Sequence, residues 1–317
     1  MRCLWIIPLL SANFAFAASI QNGWAPIFIG VDHATGQKTK DGTDNHVEQV
    51  NAIRVDLQSP GISFYSTPHT GSNETTRQTA RQFLEEYDLQ VAINTNYFVA
   101  NGSYYSPGTA NLSGLAISDG QVVSPAESGY IHALAITSGN DASFVTADVG
   151  FNTAGIYTAV AGSLAVLNDG QIASFTPGQL TLEPRTGMGL SVDGRFLYLI
   201  TIDGRNPGVS EGGTYEDLAR WLKGFGADDG VNFDGGGSTT LVRDDGAGNA
   251  LLLNTPSGNT NQTFPVGSER YNGNHLGIRA TALPEPSFLL PFVLFGWHTL
   301  RRVSHCRCGT TENSQST

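Results

Sequence analysis

Between Leu4 and His305 the chain contains no cysteine; its three cysteines, Cys3, Cys306 and Cys308, lie at the two ends. A disulfide framework and a zinc–thiolate site are therefore excluded from the body, whose stability must come from a hydrophobic core. Basic charge is scarce as well. Lys and Arg number 17 against 28 Asp and Glu, for a formal net charge of −11 and a pI of about 4.9. With no basic patch to track phosphates, a nucleic-acid-binding role is excluded. No apolar run reaches the roughly 20 residues of a spanning helix. Glycine, by contrast, is plentiful, at 38 of 317 residues. Together with many Ser, Thr and Asn, this composition implies a β-rich, turn-rich exported protein rather than a helical bundle.

The ends read as sorting segments. Met1-Arg2-Cys3 precedes the apolar run Leu4 to Leu10, and Ala15-Phe16-Ala17 supplies a small-residue cleavage site, so residues 1–17 are expected to be a secretory signal peptide. At the other end, Pro284-Glu285-Pro286 leads into the apolar "SFLLPFVLFGWHTL" and then Arg301-Arg302. Arginines directly after an apolar stretch form a stop-transfer pattern. The order resembles a bacterial PEP-CTERM sorting signal over residues 284–303, followed by a tail, 304–317. That resemblance implies an exosortase-type partner and delivery to the envelope or exterior. A plain C-terminal membrane anchor is the rival reading.

The body, residues 18–283, reads as many short strands with few helices. "NAIRVDL" and "ISFYST" alternate around Pro60-Gly61 as a hairpin would. "TTRQTARQFLEEYD" reads as the first helix, and "LQVAINTNYF" as a buried strand opening into a loop. "LSGLAISDGQVVS" and "AGSLAVLNDGQIAS" each place Asp-Gly between two strands, the chemistry of a tight hairpin turn. A further hairpin turns at Asp193-Gly194. The next helix has Thr214 as N-cap with Asp217 three residues on, and Leu218, Trp221, Leu222 and Phe225 along one face. With no linker before Pro284, the expectation is a single α+β domain with a mixed β-sheet, several hairpins and few helices.

The stretch "GVNFDGGGSTTLV", Gly230 to Val242, carries the chemistry. A buried strand delivers Asp234 to its end, followed by Gly235, Gly236 and Gly237 and the hydroxyls of Ser238, Thr239 and Thr240. Glycine allows close approach to the backbone, and successive N–H groups can form an anion-binding nest. The loop is neither a Walker loop nor a dinucleotide fingerprint, since the Gly-Lys-Ser/Thr and G-x-G-x-x-G patterns are missing. Glycine content alone would fit a solvent loop, but a hairpin turn needs only two or three special residues.

"NFDGGGSTTLV" resembles the signature of the phosphodiester glycosidase family. "VAINTNYF", through Asn94, Tyr97 and Phe98, resembles an early segment of that family, and "GLAISDGQVV" its following hairpin. "PRTGMGLSVDGRFLYLITIDGR" resembles its Arg-Thr strand pair, with Arg185, Thr186, Gly189, Asp203 and Arg205. "SERYNGNHLGIRA" resembles its final Glu-Arg segment, here Glu269-Arg270. The pieces fall in order across about residues 45 to 280. The resemblance implies hydrolysis of a sugar-1-phosphodiester at the glycosidic C–O bond, releasing the sugar and leaving a phosphate monoester. Phosphate is a good leaving group, so the demands are an anion clamp and stabilisation of positive charge at the sugar carbon. Arg185 is expected to clamp phosphate bidentately. Asp234 is expected to act as nucleophile, base or electrostatic stabiliser, and Asn94 to orient hydroxyls or water. Gly235, Gly236, Gly237, Ser238, Thr239, Asp203, Arg205 and Arg270 are the expected substrate-binding residues.

The residue types alone also fit a structural ion pair for Arg185 and a strand-end turn for Asn94; Glu183 and His132 read as structural. His33, His46 and His69 show no metal-ligand spacing, so no metal site is assigned and no cofactor is required, although oxygen ligands near Asp234 leave room for Ca²⁺ or Mg²⁺. The expected partner is a glycan or phosphosugar of the envelope or extracellular polysaccharide. Two other classes fit the same cradle: a non-catalytic glycan-binding surface module, and a metal-dependent phosphodiesterase cutting the P–O bond.

Overall fold

The computed structural model describes residues 18–40, 46–70, 73–258 and 263–284. The expected signal peptide, and the C-terminal segment from Glu285 onward, lie outside the described residues. The described residues up to Leu283 form one compact unit. Among the described residues no helix is long and apolar enough to cross a membrane.

The α+β class holds, with strands far outnumbering two α-helices. The largest sheet has eight strands, in the spatial order Ala18–Phe28, Val31–Lys38, Glu48–Asp56, Phe196–Ile202, Arg185–Leu190, Asp229–Asn232, Leu164–Asn168 and Gln171–Ile172. Two five-stranded sheets and one three-stranded sheet complete the set among the described residues. Every ladder between these strands is antiparallel, which corrects the expected mixed sheet. The source of the expectation is visible. Phe196–Ile202 and Asp229–Asn232 run parallel and are joined through a helix, but Arg185–Leu190 lies between them and pairs antiparallel with both.

Period-two alternation builds the layers. Leu197 and Leu199 point from the large sheet into a core shared with Val91, Ile93, Leu241, Leu276 and Ile278 of a second sheet and Leu134 and Val160 of a third. Their neighbours Tyr198 and Ile200 point the other way, under the helix α2, Tyr215–Phe225. That helix begins as the sequence predicts: Thr214 accepts the Asp217 N–H at 3.0 Å, and the Asp217 carboxylate accepts the Thr214 N–H at 2.9 Å. It ends at Gly226 in the left-handed conformation. Its buried face, Leu218, Trp221, Leu222 and Phe225, covers the sheet, each such side chain contributing about 1.5–3 kcal/mol relative to exposure.

Both Asp-Gly hairpins form. Asp119-Gly120 and Asp169-Gly170 take φ of 53° and 75°, and 45° and 67°, the paired positive values of a tight primed turn. The strands flanking Pro60-Gly61, by contrast, make no hairpin. Glu48–Asp56 pairs with Val31–Lys38 and Phe196–Ile202, whereas Ser63–Ser66 pairs with His275–Arg279 in another sheet. Alternation reports a buried face and leaves the partner open, so the turn carries the chain between sheets. The first helix, α1, spans only Ala80–Glu86, after a Thr79–Gln82 capping box; Thr75–Arg77 is a strand, as its β-branched threonines favour.

A buried charge cluster ties the large sheet to α2. Lys38 Nζ donates to Glu48 Oε1 at 3.2 Å and to Asp217 Oδ1 at 2.8 Å, and Trp221 Nε1 donates to Glu48 Oε2 at 2.5 Å.

Candidate active site

The strand Asp229–Asn232 ends where the strands Val91–Asn94 and Arg185–Leu190 also present their ends, and the chain leaves it through Phe233 and Asp234. Phe233 is buried, its N–H donating to the Thr186 carbonyl at 2.9 Å. The Asp234 peptide is held from both sides: its N–H donates to the Thr95 carbonyl at 2.9 Å, and its carbonyl accepts Asn94 Nδ2 at 2.6 Å. Asn94 Oδ1 accepts the Thr186 hydroxyl at 2.9 Å and the Thr240 N–H at 3.0 Å. Asn94 is buried, and its amide pins the two ends of the glycine loop together. It positions Asp234; it does not face outward to a ligand.

Asp234 is partly exposed as a residue, directly after the buried Phe233. Burial pushes its pKa up to about 7, while the Ser238 hydroxyl, the Arg270 charge and the Gly235 N–H pull it back. A carboxyl poised near neutrality suits acid–base work.

The three glycines admit arginines. A Cβ on Gly236 would lie 3.0 Å from Arg205 Nη2, and one on Gly237 would lie 2.5 Å from Arg270 Nε and 2.7 Å from its Cζ. A Cβ on Gly235 would meet the Pro184 carbonyl at 2.6 Å, beside the Arg185 backbone. The loop N–H groups, expected to form the anion nest, are largely engaged: Gly236 donates to Pro184, Ser238 to Gly235 and Thr239 to Gly236. Thus the loop supplies close guanidinium approach more than it supplies backbone donors.

Each arginine is fixed differently. Arg185 Nε and Nη2 donate to the Gly213 and Thr181 carbonyls at 2.9 and 2.7 Å, and its guanidinium lies 4.0 Å from the centre of the Tyr215 ring. With Nε and one Nη2 proton engaged, three N–H donors, two on Nη1 and one on Nη2, are left for a phosphate. Arg205, at a φ of 58° that a non-glycine residue rarely adopts, pairs through Nε with Glu183 at 2.8 Å. Arg270 donates from Nη1 to Ser238 Oγ at 3.3 Å and lies 4.7 Å from the Tyr104 ring centre, while its buried Nε has no partner among the described residues. Arg205 and Arg270 thus lie against the glycine loop, Arg205 paired with Glu183 and the Arg270 charge acting on Asp234. Asp203 stands apart. Buried beneath the rim, it accepts Asn254 Nδ2 and the Thr255 N–H, both at 3.1 Å, and burial raises its pKa to about 6. Thr239 is likewise buried, its carbonyl accepting Asn254 Nδ2 at 3.2 Å.

The sequence profile of the phosphodiester glycosidases matches residues 75–279, a segment that holds every residue just described. The chain belongs to the phosphodiester glycosidase family. Among solved structures, the fold is similar to the catalytic domain of zebrafish N-acetylglucosamine-1-phosphodiester α-N-acetylglucosaminidase, auto-inhibited by its pro-peptide. That match has 19% identity and a TM-score of 0.59, covering 83% of this chain and 88% of that one. A putative exported protein of Burkholderia pseudomallei is similar at 12% identity and TM-score 0.60, over 87% of this chain and all of that one. A hypothetical protein from Synechocystis is similar at 13% identity and TM-score 0.59; the alignment covers 81% of this chain and 64% of that one. No curated protein sequence matches. The family and the fold make this chain a phosphodiester glycosidase-like hydrolase.

The phosphodiester glycosidase site also contains residues that motif reading passed over. Asn232 lies two positions before Asp234, a spacing that puts both side chains on one face of an extended strand, and that period was the available signal. Its Nδ2 donates to the Tyr97 hydroxyl at 3.0 Å and to Ser163 Oγ at 3.1 Å. Tyr215, on the first turn of α2, carries the stacked Arg185. Glu183, read from the sequence as structural, is the ion-pair partner of Arg205. A separate cleft of about 460 Å³, lined by His132, Phe144, Asn168, Leu190 and Asp229 among others, contains none of these residues.

His46 comes together with Glu48 and Asp217, their donor atoms within 4.8 Å of one another, a grouping the sequence spacing conceals. The Lys38 ammonium lies among them, 3.0 Å from His46 Nε2, and already supplies the cation there.

Proposed function

We propose that the chain is an exported hydrolase that cleaves a sugar-1-phosphodiester at the C–O bond, on envelope or extracellular polysaccharide. The observation that carries this reading is the raised-pKa carboxylate of Asp234 under the Arg270 charge, on a glycine loop against which Arg205 also lies. An anion belongs beside the guanidinium groups, and the sugar belongs over Asp234, since a carboxylate repels phosphate.

Water then attacks the anomeric carbon, Asp234 takes its proton, and the C–O electron pair leaves on the phosphate oxygen. The product monoester is already stabilised by the arginines, so no acid catalyst is needed at the leaving group. A second free carboxyl group, which a retaining glycosidase would use, is missing from the described rim because Glu183 is paired with Arg205. Export rests on the sequence of residues 1–17 and on the PEP-CTERM-like order near the C-terminus, with an exosortase-type enzyme as the sorting partner. The same donor set favours arginines over Ca²⁺ or Mg²⁺ as the phosphate ligands, because a divalent cation asks for several free oxygens.

Purified body, residues 18–283, is expected to release reducing sugar from a glycosyl-phosphodiester. Asp234→Asn is expected to lower kcat by about 10²–10⁴, the range for a lost general base. Full activity in that variant would remove Asp234 from the mechanism.

A further inference from the structure

Tyr97 follows the strand Val91–Asn94 and is partly exposed. Its ring packs against Tyr130 at 5.2 Å between centroids. The hydroxyl accepts Asn232 Nδ2 at 3.0 Å, with Ser163 Oγ at a loose 3.5 Å. The Asn232 amide cannot be reversed: Nδ2 also donates to the Phe233 carbonyl at 2.9 Å, where an amide oxygen would meet another oxygen. Asn232 Nδ2 has two protons for three neighbouring acceptors, and the Ser163 contact is loose, so the protein neighbours fill the hydrogen bonding of the Tyr97 hydroxyl only in part.

The hydroxyl lies within reach of the Asp234 charge, and its partner Asn232 stands two residues before Asp234. Burial, and then the Asp234 charge, raise the pKa of Tyr97, so the group stays a phenol at any working pH. A phenolate nucleophile is ruled out, and a hydrogen-bond donor remains.

We infer that the Tyr97 hydroxyl donates to one oxygen substituent of the sugar seated over Asp234, making Tyr97 a specificity-determining residue. The inference rests on the phosphodiester glycosidase reading proposed above. Asn232 and Ser163 are positioning residues: they present the phenol, and the substrate oxygen completes its hydrogen bonding. The ligand class is a sugar carrying a free hydroxyl or ring-substituent oxygen at that place.

The test is a cycle of wild type and Tyr97→Phe against a glycosyl-phosphodiester and its series of monodeoxy sugar analogues, read as kcat/KM. Wild type is expected to lose about tenfold on one deoxy analogue, a typical net hydrogen-bond contribution. Tyr97→Phe is expected to lose about tenfold on the parent sugar and to treat that single analogue like the parent, while its losses at the other positions match those of wild type. Ser163→Ala, which keeps the phenol but loosens its placement, is expected to weaken the discrimination while leaving it at the same sugar position. A uniform loss in Tyr97→Phe across the whole series would overturn the inference, as would a wild type indifferent to every deletion. A wild type that turns over no glycosyl-phosphodiester would instead overturn the function proposed. The same cycle read as calorimetric affinities for the free sugars then decides Tyr97 alone.

Discussion

Asp234 combines two properties that pull in opposite directions. Its carboxylate is catalytically useful because burial raises the pKa to about 7, and the same burial makes the charged form unfavourable in the fold. The folded protein holds this proton up to about pH 7, whereas the unfolded chain releases it near the ordinary carboxylate value of about 3.9. Between those values the folded state binds more protons, so this group's contribution to stability falls as pH rises and levels off above 7. Asp234→Asn is therefore expected to stabilise the protein by about 1–3 kcal/mol at pH 8 and by little at pH 4. Thermal or urea unfolding at both pH values checks this; equal effects at the two would mean that the carboxyl is not perturbed by burial. Tyr97 feels the same carboxylate, whose charge helps to raise its pKa, and the proposed sugar contact would be shared between the two.

Among the strands and helices, the loop from Asp234 to Thr240 and helix α2 were the legible parts. A hydrophobic strand ending in Asp-Gly-Gly-Gly announces a site, and Thr214 with Asp217 announces a helix start, because both depend on neighbours in the chain. The arginines were legible as residues but not as geometry. Nothing local in the sequence says that Gly213 and Thr181 take up two nitrogens of Arg185, or that Gly236 and Gly237 leave room for Arg205 and Arg270. Asn94 likewise reads as a ligand-facing polar residue until its partners, Asp234, Thr186 and Thr240, are seen. The same limit applied to the strands around Pro60-Gly61, whose partners lie far along the chain.

The whole molecule depends on long-range ties of this kind. With no cysteine in the body, the large sheet is joined to α2 by apolar packing and by the cluster of Lys38, His46, Glu48 and Asp217. Asp217 also completes the capping box of α2 with Thr214, and the first residue of α2, Tyr215, stacks on Arg185, so the cluster adjoins the support of that arginine. Lys38→Met is expected to destabilise the fold by about 3–5 kcal/mol, since it leaves two buried carboxylates without their cation. Adding Glu48→Gln and Asp217→Asn is expected to recover part of that loss. Urea unfolding of the single and triple variants measures both, and an unchanged midpoint in Lys38→Met would show the cluster to be energetically idle.

The proposed division of the site into an arginine side for phosphate and an Asp234 side for sugar is tested most directly by hydrolysis in ¹⁸O-labelled water. With Asp234 directing water to the anomeric carbon, the label is expected in the released sugar and not in the phosphate monoester. Label in the phosphate would place the attack at phosphorus and contradict that division.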